Sequence, residues 1–172
     1  MQIINWGIYA IAAYFWADWR KWDKYYPTYL FMLAANFFAS IFMFNHTLWL
    51  FRPTFLLANH TLTEFYIAFI AYLGTVMLFL SRYPKQHLLW QTGWIFLWVG
   101  AYTLSELVPF YFGLVGYSNG WSLGWSIVHN LIMFSMIRLH YISPGWAWLF
   151  SVIYFLFVYN YFGFSIQYLK YN

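Results

Sequence analysis

Between Phe65 and Leu80 the chain reads FYIAFIAYLGTVMLFL, a run that carries no charge and does not alternate. Where such a stretch meets no water it must satisfy its own backbone hydrogen bonds, and a helix does this within one segment. A barrel strand would instead alternate over about 10 residues. Comparable runs recur along the 172 residues, which are 64% hydrophobic, 28% aromatic and only 7% charged. Soluble domains carry about 25% charged residues, so this chain lacks the polar surface to coat a water-facing globule. The expected class is all-α: a polytopic transmembrane helical bundle, one domain over residues 1–172, with no soluble domain.

Turn and charge signals divide the chain into about six helices: Ile3–Ala17, Thr28–Phe44, Leu62–Ser81, Leu88–Phe110, Trp121–Leu139 and Trp146–Leu169. The first two are short for a bilayer core, which takes about 20 residues; if the first fails to span, five remain. Trp and Tyr crowd the boundaries, as at Trp19, Trp22, Tyr25, Trp90, Trp121 and Trp146, in the manner of an interfacial belt. The connection Asn45–Thr61 holds LWLFRPTFLLA, too apolar for a free loop, and is expected to lie in the interface with Arg52 reaching toward headgroups.

Orientation follows from the basic residues. Arg20, Lys21, Lys24, Arg82, Lys85 and Arg138 fall in or beside the loops after the first, third and fifth helices, whereas Arg52 and Lys170 fall on the other side. This bias places the odd-numbered loops in the cytoplasm and both termini outside. The N-terminus lacks a basic n-region and a small-residue cleavage site, so it reads as a retained span rather than a signal peptide. The formal charge of +4 is scattered over short loops, which argues against nucleic acid as a partner. Absence of cysteine removes disulfides, thiolate metal sites and cysteine nucleophiles.

A charge at a helix centre costs roughly 2.5–3.5 kcal/mol on insertion scales, so each polar group within a span needs a partner or a purpose. Glu64 forms Thr-x-x-Glu with Thr61 before an apolar run, the capping-box pattern. The other reading puts His60 and Glu64, four apart on one helical face, in a proton or cation site. Glu106, in TLSELVPF, has no capping role. Both glutamates fall toward the outer side, where they could share a polar chamber with His60 and Arg52. Asn36, His129, Asn130 and Asn160 are candidates for a buried hydrogen-bond network between helices. Arg138 and His140 read as anchors at the cytoplasmic end. Two ligands are too few for a metal site, and no P-loop, HExxH or catalytic triad is present. No cofactor is expected.

Small residues mark expected packing faces: Ala35 with Ala39, Ala68-Ala71-Gly74, Gly93 with Gly100, and the GxxxG of Gly120 and Gly124, where Gly120 has the alternative reading of an Asn-Gly turn. NHTL occurs twice, at Asn45–Leu48 and Asn59–Leu62; the first reads as the exit from the second helix and the second as the start of the third.

The strings YYPTYLFML (Tyr25–Leu33), LWLFRPTFLLANHTLTEFYIAFI (Leu48–Ile70) and MFSMIRLHY (Met133–Tyr141) together resemble a family of small, largely uncharacterised multi-pass membrane proteins of Bacillus and related spore-forming Firmicutes. The resemblance covers roughly residues 19 to 145 and implies a bacterial plasma-membrane location, but no chemistry. It also implies acidic residues where this chain has Asn36 and Asn130, and proline where it has Ser135. Two amides in place of two acids suggest one shared polar site that need not be ionised.

The leading functional expectation is a small integral membrane protein that binds or moves a lipid-like or small hydrophobic ligand through an outward-facing polar chamber near Glu64 and Glu106. The alternative is a structural or regulatory scaffold, whose partner is another membrane protein or a second copy of this chain. An intramembrane enzyme ranks lower, for want of a nucleophile or a full metal set, and no selectivity motif of an ion channel is visible. Membrane lipids are the expected surroundings in every case.

Overall fold

Glycine and proline set several of the helix ends. The computed structural model describes residues 2–85 and 87–165; Lys170 and the expected end of the last helix at Leu169 lie outside the described residues. The helices are α1 (Gln2–Trp16), α2 (Trp22–Met43), α3 (His60–Tyr66), α4 (Tyr72–Ser81), α5 (Leu88–Tyr111), α6 (Leu123–Ile142) and α7 (Pro144–Tyr161). A π turn at Ile67–Ala71 joins α3 to α4 in one rod, so the described residues form six helical rods. Gly113 and Gly163 take positive φ after α5 and α7. At each, the next amide returns five residues, Leu114 to Pro109 and Phe164 to Tyr159. This is the Schellman closure, for which a residue without Cβ is favoured.

Helix α2 starts earlier than expected, at Trp22 rather than Thr28, with Pro27 inside it. Pro27 lies near the N-terminal end, where a missing N–H and a preset φ disturb few intrahelical bonds. Helix α7 ends earlier than expected, at Tyr161. Two rods, Trp19–Met43 and His60–Ser81, are long and apolar enough to cross a membrane. At 22 residues the second spans about 33 Å, against a hydrocarbon core about 30 Å thick.

The structure departs from an all-helical chain at one place. β1 (Trp49–Phe51) pairs antiparallel with β2 (Val115–Tyr117), with Trp49 opposite Tyr117 and Phe51 opposite Val115. This pairing gives the Asn45–Thr61 segment a backbone partner that its sequence did not announce. The α2–α3 connection is tied to the α5–α6 connection: Arg52 N–H donates to Leu114 O at 2.9 Å and Ser118 N–H to Leu48 O at 2.9 Å. Thr47 O accepts from the Ser118 hydroxyl and from Asn119 Nδ2. Backbone groups amid so much apolar surface need partners, and two connections at one end supply them to each other.

The opposite end gathers the basic residues. Lys21 Nζ lies 2.5 Å from Asp18 Oδ2, and this hydrogen bond holds the Asp18 carboxyl below the usual carboxylate range. Arg82 Nε donates to Trp16 O at 2.7 Å. The Arg138 guanidinium sits 4.3 Å from the Tyr83 ring centre.

Between the ends, packing is tightest where α1 crosses α4. A Cβ on Gly74 would lie 2.4 Å from Tyr9 O, so only glycine allows this approach. Ala68 and Ala71 are fully buried on the same rod. Polar side chains bridge the helices: Tyr9 Oη with Ser105 Oγ at 2.7 Å, Thr75 Oγ1 with Tyr102 Oη at 2.6 Å, and Asn5 Nδ2 to Ser105 O at 2.6 Å. Aromatic rings fill the core, with Tyr102 centred 4.9 Å from Tyr9 and 5.0 Å from Phe134. Two expected packing faces are absent. A Cβ on Gly93 or Gly100 would meet nothing within 4 Å, and Gly120 belongs to a turn at φ +82°.

Candidate functional site

Helix α3 begins at Asn59, whose Oδ1 accepts from Leu62 N–H at 2.8 Å. Asn59 is in extended backbone, the geometry of a strong N-cap. The capping box expected of Thr61 and Glu64 therefore does not form: Thr61 lies inside the first turn and is exposed. Glu64 turns to His60 instead, with His60 Nε2 at 3.3 Å from Glu64 Oε1. Phe51 N–H donates to His60 Nδ1 at 3.0 Å. That acceptor role leaves the ring proton on Nε2, facing the carboxylate.

The π turn then changes which residues share a face with Glu64. In a continuous α-helix Tyr72, eight positions on, would sit about 80° around from Glu64. One extra residue in a turn offsets that by roughly one residue's rotation. Glu64, Ile67 and Tyr72 consequently line one cavity of about 80 Å³. Across it stand Glu106 from α5, and Ser126, His129 and Asn130 from α6. These are the chain's two glutamates, since its four acidic residues are Asp18, Asp23, Glu64 and Glu106.

Glu106 Oε1 accepts two hydroxyls at 2.6 Å, one from Tyr117 on β2 and one from Ser126 on α6. Burial and the neighbouring Glu106 push the Tyr117 phenol up, which keeps its proton in place for donation. Trp121 Nε1 donates to Ser126 Oγ at 2.9 Å, extending the chain of bonds. His129 Nδ1 meets Tyr154 Oη of α7 at 3.0 Å. Tyr72 Oη donates to Asn36 Oδ1 at 3.2 Å, while Asn36 Nδ2 is buried without an acceptor. Asn130 is 6% exposed and its side chain makes no hydrogen bond among the described residues.

A second cavity of about 350 Å³ adjoins the first, between α2, α6 and α7. Its walls are almost wholly apolar, with Met32, Ala35, Ala39, Met136, Val152 and Phe155 among them. Asn36, Trp49, Tyr72, Trp121, His129 and Met133 line both. Two indoles, a phenol, an imidazole, an amide and a thioether therefore form a wall common to the two spaces. Such a shape, mostly apolar with a few convergent polar groups, is that of a small-molecule site.

The sequence placed His60, Glu64, Glu106 and Arg52 in one group, and Asn36, His129, Asn130 and Asn160 in another. The structure groups them differently. Glu64, Glu106, Asn36, His129 and Asn130 line the same cavity. His60 stands behind Glu64 and orients it. Arg52 is exposed, beside Gly113. Asn160 is exposed and returns its Nδ2–H to Leu156 O at 2.7 Å, within its own helix. Arg138 and His140 lie at the basic end, where His140 Nδ1 meets Thr28 Oγ1 at 3.0 Å and its ring stacks on Phe31. Sequence reading missed Ser126, Tyr117 and the aromatic walls Trp6, Tyr72, Tyr102 and Trp121. Among forty-odd aromatic side chains none stands out, and a serine in a helix start reads as a cap. No cluster of three metal-ligating side chains occurs among the described residues. Compared with known proteins, the chain matches no family model, no curated protein and no solved structure.

Proposed function

We propose that this is a multi-pass membrane protein of the bacterial plasma membrane that binds or moves a lipid-like or small hydrophobic ligand. In this reading all six rods span, the basic end faces the cytoplasm, and both termini and the paired strands lie outside. Large side chains turned outward support it: Ile4 is 76% exposed, Leu89 80%, Leu97 61% and Leu104 62%. Apolar patches of that extent on a soluble monomer would be a liability; against acyl chains they are ordinary. The asymmetry of basic residues between the ends supports the orientation.

The observation that carries the ligand reading is the adjacency of the two cavities. A chamber lined by both glutamates shares a wall with an apolar space of about 350 Å³, and the pair suits the head and the tail of an amphipathic molecule. Mass spectrometry of the protein released intact from mild detergent tests this. A co-purifying amphiphile in the wild type, reduced in Glu64→Gln with Glu106→Gln, is the expected result. Equal retention by the folded double variant would remove the chamber from the mechanism.

One observation favours the scaffold alternative. Gly93 and Gly100 on α5 face open space, and small residues at such spacing allow a partner helix to approach. Enlarging Gly100 to valine separates the readings: loss of a stoichiometric partner with ligand retained assigns that face to assembly.

A further inference from the structure

The composition of the polar cavity narrows what a ligand's head can be, given the ligand-binding reading just proposed, on which this inference rests. Two carboxylates line the cavity, and no lysine or arginine does. Glu106 has two hydroxyl donors on Oε1, and Glu64 has one imidazole N–H, at 3.3 Å. Hydroxyl donors stabilise a carboxylate but do not neutralise it, and a pair of uncompensated carboxylates in a low-dielectric site is costly.

Two amides add independent requirements. Asn130, more than nine-tenths buried and lining the cavity, makes no hydrogen bond among the described residues. Asn36 Nδ2, on the wall common to both cavities, is buried and has no acceptor among the described residues. A buried amide nitrogen without an acceptor is rare and asks for one here, while the Asn130 amide, on the cavity lining, can both donate and accept. The remaining walls include the rings of Trp6, Trp49, Tyr72, Tyr102 and Trp121, a ring type whose face attracts a cation.

We propose that the two adjoining cavities form one site for a long-chain amino alcohol. Its ammonium lies between Glu64 and Glu106 and donates to Asn130 Oδ1. A hydroxyl on the neighbouring carbon accepts from Asn36 Nδ2, and the alkyl chain passes the shared wall into the α2–α6–α7 cavity. The hydroxyl answers the amide nitrogen that lacks an acceptor, and the ammonium brings the two carboxylates the positive charge that no lysine or arginine of the cavity supplies. A fatty acid would bring a third carboxylate to the site, and a simple alcohol would leave the charge uncompensated.

The test uses the full chain in nanodiscs of uncharged phosphatidylcholine, with three probes of one chain length. These are aminododecanol with amine and hydroxyl on adjacent carbons, dodecanol and dodecanoate. Binding is read by the fluorescence of the wall tryptophans, after subtraction of empty nanodiscs, and by native mass spectrometry. The amino alcohol should bind at least about tenfold tighter than dodecanol, since a charge-assisted hydrogen bond is worth about 1.5–3 kcal/mol. Glu64→Gln with Glu106→Gln should erase that preference. Ala39→Leu, remote from the carboxylates, should weaken the amino alcohol and dodecanol alike. Equal affinity for all three probes, or a preference for dodecanoate, overturns the head-group assignment and leaves the amphiphile site standing. Absence of binding by any probe to the folded protein overturns both.

Discussion

The two sides of α2 and α4 make opposite use of small residues. Where α4 meets α1, Gly74 is pressed onto the Tyr9 backbone, and a Cβ there would lie 2.4 Å from a carbonyl oxygen. Ala35 and Ala39 on α2 instead border a space of about 350 Å³ between α2, α6 and α7. Small side chains on the first side let two backbones close; on the second they keep three helices from closing. The difference separates a closed crossing from a side that leaves space. In the ligand reading proposed above, that space between α2, α6 and α7 is where the apolar part of a guest lies.

The largest effect should come from forcing the closed side open. Gly74→Val puts a branched side chain against backbone that has no rotamer to change, and overpacking of this kind costs about 3 kcal/mol. Thermal unfolding in one detergent should show a marked fall in midpoint. Gly100→Val, where a Cβ meets nothing within 4 Å, should shift it little. Similar falls in both would erase the distinction between crossing and exposed glycines. Next in size is Thr75→Val, which removes the 2.6 Å partner of Tyr102 and leaves a buried phenol alone. A cost of about 1–3 kcal/mol follows, measured by the same unfolding transition.

Most of the helical layout was readable because charge and turn residues are scarce and cluster between the helices, with Pro27 and Pro109 inside α2 and α5 as exceptions. Glu64 and Glu106 were readable as special for the same reason: a carboxylate in an apolar run needs an explanation wherever it lies. Their sharing of a cavity with Asn36, His129 and Asn130 was not readable. It depends on the π turn at Ile67–Ala71, and the residues IAFIA suit an α-helix equally well. Nor was the β1–β2 pairing, because each strand has only three residues and its partner is distant in sequence. Gly93 and Gly100 show the converse error. Spacing says that a glycine could face a helix, but only the arrangement of the other helices says whether one is there.

The two NHTL copies offer a finer measure of the same lesson. Asn59 caps α3, so Asn59→Ala should cost about 1 kcal/mol. Thr61→Ala, two positions on, should cost almost nothing because Thr61 is exposed and takes no part in the cap. A larger loss from Thr61 than from Asn59 in matched unfolding curves would restore the capping box and return Glu64 to a structural role.

The smallest expected effect is the one that bears most on the open side. Ala39→Leu adds volume to a cavity rather than to a packed face, so strain should be slight and the midpoint should move by less than about 1 kcal/mol. If the space is a true cavity, the added methyl and methylene groups gain contacts where the wall had none, and the change should be neutral or upward. A fall as large as that of Gly74→Val would mean that α2, α6 and α7 are closed in the working protein. The closed and open sides would then be one. A steady midpoint with a lost amphiphile would separate them cleanly, since occupancy would have responded to the open side of α2 while stability stayed with the α1–α4 crossing.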